Sequence, residues 1–243
     1  MTNHDLANQI EFADNPEPRC PCVLLLDTSG SMRTERRIDL LNRGIRTFID
    51  ALRANALASL RVECAVVSFS DSAKIEADFC TADEFEPPTL KARGETQMAA
   101  GIRQALSMVD ERKARYREAG VGYYQPWIIM LTDGEPHGGF RQLLTDQAER
   151  IADLEEDRRL AFWAVGVGEA NMEKLGQIAV REPVRLRGLD FDGMFLWLSE
   201  SLQAVSNSTA EVATPVLPEI GNWAEHYNAP QVSREIPEVR FEG

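Results

Sequence analysis

The side chains best suited to bind a metal ion lie in one short segment, Asp27–Ser31, which reads Asp-Thr-Ser-Gly-Ser. The carboxylate of Asp27 and the hydroxyls of Ser29 and Ser31 are all hard oxygen donors. Mg²⁺ prefers such oxygens in near-octahedral geometry and usually keeps some of its waters. Mn²⁺ accepts the same ligands, so either ion suits this segment.

Two later segments offer more of these oxygens. Thr96 opens a helical pattern, which predicts that it is the N-cap of a helix and that its hydroxyl lies at the helix N-terminus. Asp133 and Gly134 end an apolar run that begins at Ile128. The predicted metal ligands are therefore Asp27, Ser29, Ser31, Thr96 and Asp133. We predict no catalytic residue and no cofactor other than Mg²⁺ or Mn²⁺.

The elements that must hold these residues are buried strands. Cys22–Leu26 is a continuous apolar run without alternation, which is typical of a strand buried on both faces of a parallel sheet. The run that begins at Ile128 has the same character. Open α/β sheets bind ligands in a crevice at the carboxyl ends of their strands. We therefore expect Asp27 and Asp133 to meet at one edge of one sheet.

The order of the strand and helix patterns is β-α-β-β-α-β-α-β-α-β-α, in which Ala73–Phe79 alternates after a short turn and so indicates a hairpin. This order predicts an α/β fold with a doubly wound, mostly parallel six-stranded sheet, one antiparallel edge strand and helices on both faces. The domain is expected to span residues 19–206, after an N-terminal tail at 1–18. Periodicity is lost from residue 207 onward, so 207–243 is predicted to be a flexible acidic tail, or one that docks only through Trp223 and Tyr227.

The three oxygen-bearing segments, in this order and on these elements, resemble the metal-ion-dependent adhesion site (MIDAS) of von Willebrand factor A (vWA) domains. The resemblance implies a Rossmann-like fold and a protein-binding adaptor. Its bound Mg²⁺ would contact an acidic residue of a protein partner. Such a contact in a partly dry crevice would be a binding hot spot.

A narrower resemblance, to the bacterial YegL-like proteins and their TerY-like relatives from tellurium-resistance clusters, rests on four further segments: Asn15–Cys22, Tyr123–Trp127, Gly166–Met172 and Phe195–Leu198. It implies an adaptor in a bacterial stress-response, signalling or defence complex. A kinase or phosphatase encoded nearby is one partner that it suggests.

Composition excludes other classes of partner. The chain has 243 residues and a net charge of −13, which argues against nucleic acids and anionic membranes, since both attract basic surfaces. No stretch approaches the roughly 20 apolar residues of a membrane-spanning helix, and the first residues lack a secretory signal pattern. We expect a cytoplasmic protein with buried thiols in its strands, at Cys22 and Cys64.

Three alternatives stay open. An intact metal site need not be used, so the chain could be a metal-independent scaffold. A serine hydrolase is disfavoured, because Ser31 does not lie in a Gly-x-Ser-x-Gly elbow, and a metal-dependent hydrolase is disfavoured, because no general base other than the ligands themselves is evident. A dinucleotide site at Gly166 and Gly168 is disfavoured, because Asn171 replaces the third glycine of that pattern.

Charged residues near the predicted site have two interpretations. Arg33, Arg36 and Arg37 are expected to be solvated arginines on a first helical turn; alternatively, they flank the crevice and help to select an acidic partner. His137, shortly after Asp133, is expected to be a surface residue and not a ligand, because Mg²⁺ prefers oxygen.

Overall fold

The structure is a computed structural model that describes residues 12–134, 140–208, 217–227 and 241–242. The strands are β1 (Cys20–Asp27), β2 (Val62–Phe69), β3 (Ala73–Thr81), β4 (Tyr123–Tyr124), β5 (Trp127–Thr132), β6 (Ala161–Gly166), β7 (Val184–Leu186), β8 (Ala224–His226) and β9 (Phe241–Glu242). The α-helices are α1 (Arg37–Arg53), α2 (Ala56–Arg61), α3 (Met98–Ala119), α4 (Phe140–Glu156), α5 (Met172–Ile178) and α6 (Phe191–Asn207). A 3-10 helix, Gly30–Arg36, links β1 to α1.

The main sheet has seven strands in the order β3-β2-β1-β5-β6-β7-β8. The five central strands are parallel to one another: β2, β1, β5, β6 and β7. The edge strands β3 and β8 are each antiparallel to their neighbour. The predicted α/β fold, a mostly parallel sheet with an antiparallel edge strand after a hairpin, is confirmed. Among the described helices, none is both long and apolar enough to cross a membrane.

Two hydrophobic cores cover the two faces of the sheet. Along β1, Leu24 and Leu26 pack toward α1 and α6, whereas Val23 and Leu25 pack toward α3 and α5. All eight residues of β1 are buried, which explains why the strand shows no alternation in the sequence. Cys22 and Cys64 are fully buried free thiols, as predicted.

The seventh strand, β8, was not predicted and makes the sheet one strand larger than expected. It comes from the segment that was expected to be a flexible tail, and it pairs with β7 through Val184–His226 and Leu186–Ala224. Three residues are too few to show a period in the sequence. In the described segment 217–227 the chain therefore docks on the domain, and backbone pairing contributes besides the side chains of Trp223 and Tyr227.

All four tryptophans of the chain form one row. The ring centroids of Trp127 and Trp163 are 5.6 Å apart, and those of Trp163 and Trp197 are 5.4 Å apart. Trp223, just before β8, extends the row with its centroid 5.4 Å from that of Trp197. The Trp197 Nε1–H donates a 3.0 Å hydrogen bond to the Pro218 carbonyl. The row thus connects the sheet, helix α6 and the segment 217–227.

A buried cluster of charges lies at the amino end of β1 and β2. Glu63 Oε1 accepts hydrogen bonds from Arg19 Nε at 3.0 Å and from Arg112 Nη2 at 2.8 Å. Glu63 Oε2 accepts from Arg112 Nε at 2.7 Å and from the Tyr116 hydroxyl. The Phe12 ring lies 4.9 Å from the Arg112 guanidinium and 5.4 Å from that of Arg19. We call these five residues the amino-end cluster.

Candidate metal site

Asp27 ends the central strand β1 and is fully buried. Its Oδ1 accepts a 2.8 Å hydrogen bond from the Ser29 N–H, and its Oδ2 accepts a 2.6 Å bond from Thr132 Oγ1. Burial raises the pKa of Asp27 to about 6, because these hydrogen bonds offset only part of the cost of desolvating the carboxylate. The carboxylate is therefore ionised at neutral pH only at a cost, which a bound cation would remove.

Ser29 and Ser31 extend the oxygen set from Asp27 toward the next strand. Their hydroxyl oxygens lie 2.9 Å apart. The Ser31 hydroxyl also donates a 2.6 Å hydrogen bond to Asp133 Oδ1, beyond the end of β5. Asp133 is buried as well. The structure therefore brings four of the five predicted ligands into one hydrogen-bonded run.

Thr96, the fifth predicted ligand, lies near Asp27, because the backbone at Gly134 passes close to both side chains. A Cβ atom on Gly134 would lie 2.9 Å from Thr96 Oγ1 and 3.4 Å from Asp27 Oδ2, so a larger residue at this point would displace the Thr96 side chain. The predicted N-cap role of Thr96 is wrong, because α3 begins at Met98 with Gln97 at its cap. The buried Thr96 side chain faces the crevice residues and leaves the cap to its neighbour.

Backbone hydrogen bonds connect the loop after β1, which carries Ser29 and Ser31, to the segment that leads to Thr96. The Arg93 N–H donates to the Thr28 carbonyl at 2.7 Å, and the Gly30 N–H donates to the Gly94 carbonyl at 2.9 Å. The Thr28 N–H in turn donates to the Phe69 carbonyl at the end of β2, at 2.9 Å. The crevice oxygens are thus carried by loops that are fixed to the strand ends.

Arg37 lies beside the crevice, as the second of the two interpretations of Arg33, Arg36 and Arg37 has it. Arg37 Nη1 donates a 2.8 Å hydrogen bond to Asp133 Oδ2, and Nη2 donates a 3.1 Å bond to Glu35 Oε2. Arg37 is 8% exposed, so its interpretation as a solvated arginine is wrong, whereas Arg33 and Arg36 are exposed as expected. Burial alone would lower the pKa of Arg37, but its bonds to the two carboxylates outweigh this and raise the pKa.

Local backbone geometry explains why Arg37 turns inward. Glu35 and Arg36 both adopt the left-handed region, with φ of 51° and 57°, and α1 then begins at Arg37. A sequence signal for burial did exist, because Arg37 lies four residues before Leu41 and eight before Ile45, on the buried face of the helix. Thr132 was missed, although a hydroxyl inside a buried strand needs a partner and here finds Asp27.

The donor set fits a hard divalent cation. It contains two carboxylates and three hydroxyls, and no nitrogen or sulfur atom that would favour a softer metal. Within the described residues, no group of three or more His, Cys, Asp or Glu side chains could hold a metal ion, so binding here depends on the hydroxyls. His137 lies outside the described residues.

Solved structures share this architecture over most of the chain. A von Willebrand factor type A protein from Catenulispora acidiphila is 19% identical, with a TM-score of 0.59 over 77% of this chain and 43% of that one. The pilus adhesin SpaC from Lactobacillus rhamnosus GG is 15% identical, with a TM-score of 0.61 over 79% and 32%. Proximal thread matrix protein 1 from the mussel byssus is 19% identical, with a TM-score of 0.53 over 79% and 47%. These identities show the fold alone.

The fold and the crevice define an α/β domain with an oxygen-lined crevice at its strand ends. The model of the von Willebrand factor type A domain family matches residues 22–187, and the chain belongs to this family. The chain spans less than half the length of the three solved structures just described. No curated protein matches the sequence.

Proposed function

We propose that this chain binds a protein partner through a divalent cation, Mg²⁺ or Mn²⁺, held by Asp27, Ser29, Ser31, Thr96 and Asp133. The observation that carries the proposal is the run of oxygens that links Asp27 to Asp133 through Ser29 and Ser31. Domains of the same family commonly mediate metal-dependent protein interactions. The chain would act as an interaction module and not as an enzyme.

The proposed ligands differ in the charge that they bring to the cation. Asp27 supplies a negative charge from the central strand, and the serine and threonine hydroxyls supply oxygens without adding charge. A bound Mg²⁺ would supply positive charge and an exchangeable ligand position. A carboxylate from the partner is the natural group for that position, because a charge-assisted contact in a partly dry crevice is strong.

The proposed setting is a cytoplasmic stress-response, signalling or defence complex in a bacterium. Its support is the resemblance to the YegL-like and TerY-like proteins, together with four free cysteines in the described strands, as reduced thiols are typical of the cytoplasm. A kinase or phosphatase encoded nearby is the first partner to examine. Neither a nucleic acid nor a membrane surface is proposed, given the net charge of −13.

An affinity capture from native bacterial lysate tests the proposal. Wild type and Asp27→Asn are used as baits, each with Mg²⁺ and again with a chelator. The matched control is Asp39→Asn, since Asp39 is an exposed carboxylate of α1 that pairs only with exposed Arg36 among the described residues. We expect partners that bind wild type and Asp39→Asn with Mg²⁺ and are lost with Asp27→Asn or the chelator. Partners indifferent to both changes would identify a metal-independent scaffold.

A further inference from the structure

The guanidinium of Arg37 contacts a predicted metal ligand directly, which the donor set alone does not require. It donates a 2.8 Å hydrogen bond to Asp133 Oδ2, while the Ser31 hydroxyl donates a 2.6 Å hydrogen bond to Asp133 Oδ1. Both oxygens of this carboxylate therefore already have donors. Among the described residues Asp27 has no arginine partner, and its two oxygens accept from the Ser29 N–H and the Thr132 hydroxyl.

Arg37 is held in place from several sides. A Cβ atom on Gly168, in the loop after β6, would lie 2.5 Å from Arg37 Nη2, and Gly168 has φ of +56°. Arg185 fixes this loop through the carbonyls of Gly168 and Ala170. The two left-handed residues before Arg37 add backbone strain, which the rest of the structure must sustain.

The hydrogen bonding of Arg37 differs from that of an arginine that serves stability alone. Its Nε–H is buried and has no hydrogen-bond partner among the described residues. Buried polar groups are usually satisfied, and an exception calls for an explanation other than packing. Arg37 stays protonated at any physiological pH, so its positive charge is present beside Asp133 although its hydrogen bonding is incomplete.

We propose that Arg37 is a positioning residue that keeps Asp133 from neutralising the bound cation, so that metal binding and carboxylate binding are coupled. The inference rests on the proposed function. Asp27 and Asp133 carry two negative charges and Arg37 one positive charge, so a divalent cation would leave the site with a charge of about +1. Glu35 also contacts Arg37, but its side chain is 62% exposed and its charge is screened by solvent.

This charge identifies the class of partner group. A site with a charge of about +1 binds its cation less tightly than a neutral one, and a single carboxylate from a partner restores neutrality. The anion would therefore strengthen metal binding, and the metal would strengthen anion binding by the same factor. We expect the partner to present one Asp or Glu side chain, or a C-terminal carboxylate, to this crevice.

The test measures Mn²⁺ binding and carboxylate binding separately on the full chain. Water-proton relaxation reports bound Mn²⁺, and titration with a pentaglutamate peptide reports displacement of metal-bound water. Arg37→Gln keeps a hydrogen-bond donor near Asp133 and removes the charge. We expect it to bind Mn²⁺ about tenfold more tightly and the peptide about tenfold more weakly, since a nearby unit charge acts through an effective dielectric of about 20.

Controls separate charge from structure. Arg36→Gln, next to it and exposed, should match wild type, and Arg37→Lys should restore most of the wild-type behaviour. Loss of packing would weaken both ligands together, so opposite changes in the two affinities are specific to the charge effect. Glu35→Gln serves as a second variant that does not disturb the interior if Arg37→Gln fails to fold. It should weaken Mn²⁺ binding by about twofold, the opposite sign to Arg37→Gln.

The outcomes distinguish the two proposals. Equal Mn²⁺ affinity in wild type and Arg37→Gln, or parallel weakening of both ligands, would overturn the role of Arg37 while the metal site stands, provided that Asp27→Asn abolishes Mn²⁺ binding. If Asp27→Asn binds Mn²⁺ as wild type does, or if wild type binds none, the proposed function fails and the inference fails with it.

Discussion

The two ends of β1 and β2 carry the same kinds of groups and differ in how these groups are balanced. In the amino-end cluster, one carboxylate, Glu63, faces two arginines and a tyrosine hydroxyl. In the crevice at the carboxyl end, two carboxylates, Asp27 and Asp133, face one arginine and several hydroxyls. The described charges sum to about +1 at the first end and about −1 at the second.

This difference separates a closed, structural cluster at one end from the proposed cation site at the other. At Glu63 each carboxylate oxygen accepts two hydrogen bonds, and Phe12 covers both arginines, so the cluster is closed to a ligand. At the crevice the negative charges exceed the positive charge by one, and the Ser29 and Ser31 hydroxyls bond to each other. The negative charge there is therefore not fully balanced. A buried carboxylate therefore suggests a cation site where negative charge is in excess around it, as at the crevice, and not where arginines outnumber it, as at Glu63.

The largest expected effect is at the amino-end cluster. Glu63→Gln leaves two buried arginines without a counter-charge, so we expect it to lower the free energy of unfolding by about 3–5 kcal/mol. Urea unfolding followed by circular dichroism measures this. The comparison predicts that Mn²⁺ affinity of the folded variant stays within about twofold of wild type, because the crevice lies at the other end of the strands. A lost metal site would contradict the separation of the two ends.

The next effect is a pH dependence that belongs to the crevice. The pKa of Asp27 is raised to about 6 from 3.8, so the folded protein binds a proton that the unfolded chain releases. Without metal, the preferential protonation of Asp27 in the folded state contributes about 3 kcal/mol to the free energy of unfolding. This contribution is complete below about pH 4 and is lost as the pH rises through 6. Asp27→Asn lacks this titration.

The difference in free energy of unfolding between metal-free wild type and Asp27→Asn, measured from pH 4 to pH 7.5, isolates the Asp27 contribution from the other carboxylates. The free energy of unfolding of wild type, relative to that of Asp27→Asn, should fall progressively as the pH rises over this range. A difference that stays constant with pH would show that the raised pKa is not a property of the folded protein in solution.

Metal addition should have a slightly smaller effect. At a free Mg²⁺ concentration about 100 times its dissociation constant, we expect stabilisation of about 2.7 kcal/mol, which thermal unfolding with and without chelator measures. Asp27→Asn should lose this response and Glu63→Gln should keep it. Stabilisation of Asp27→Asn by Mg²⁺ would place the cation somewhere other than the crevice.

The smallest effect concerns the aromatic cover of the amino-end cluster. Phe12→Leu keeps an apolar side chain over Arg19 and Arg112 and removes the ring, so we expect a loss of about 1 kcal/mol in the free energy of unfolding. Urea unfolding at low and high salt measures it. Metal affinity should not change. A loss near zero would mean that Phe12 contributes burial alone.

The sequence predicted those parts of the fold that repeat a period. β3 lies where the alternation of Ala73–Phe79 places it, and the fully buried β1 and β5 are recognisable by their lack of alternation. β8 could not be predicted, because three residues carry no period and pair only once β7 is in place. The short helix α2 was missed for a similar reason, since its six residues make fewer than two turns.

For the site, the sequence predicted the oxygen-bearing residues, but it gave a crevice position for Arg37 only as an alternative to a solvated one. Hydroxyls and carboxylates at strand ends have a recognisable order, so the candidate ligands could be proposed from spacing alone. Arg37 looked like one of three surface arginines, because its burial depends on the left-handed turn at Glu35 and Arg36, which no residue type there requires. Helix periodicity from Leu41 and Ile45 was the available signal.

The tryptophan row gives the chain an optical property of its own. Neighbouring indoles in this row have centroids 5.4–5.6 Å apart, which is close enough for their electronic transitions to couple. Since Trp223 belongs to the segment 217–227, detachment of that segment would shorten the array by one chromophore. The emission spectrum and the exciton signal in circular dichroism would both change, so the protein reports the position of this segment without a label.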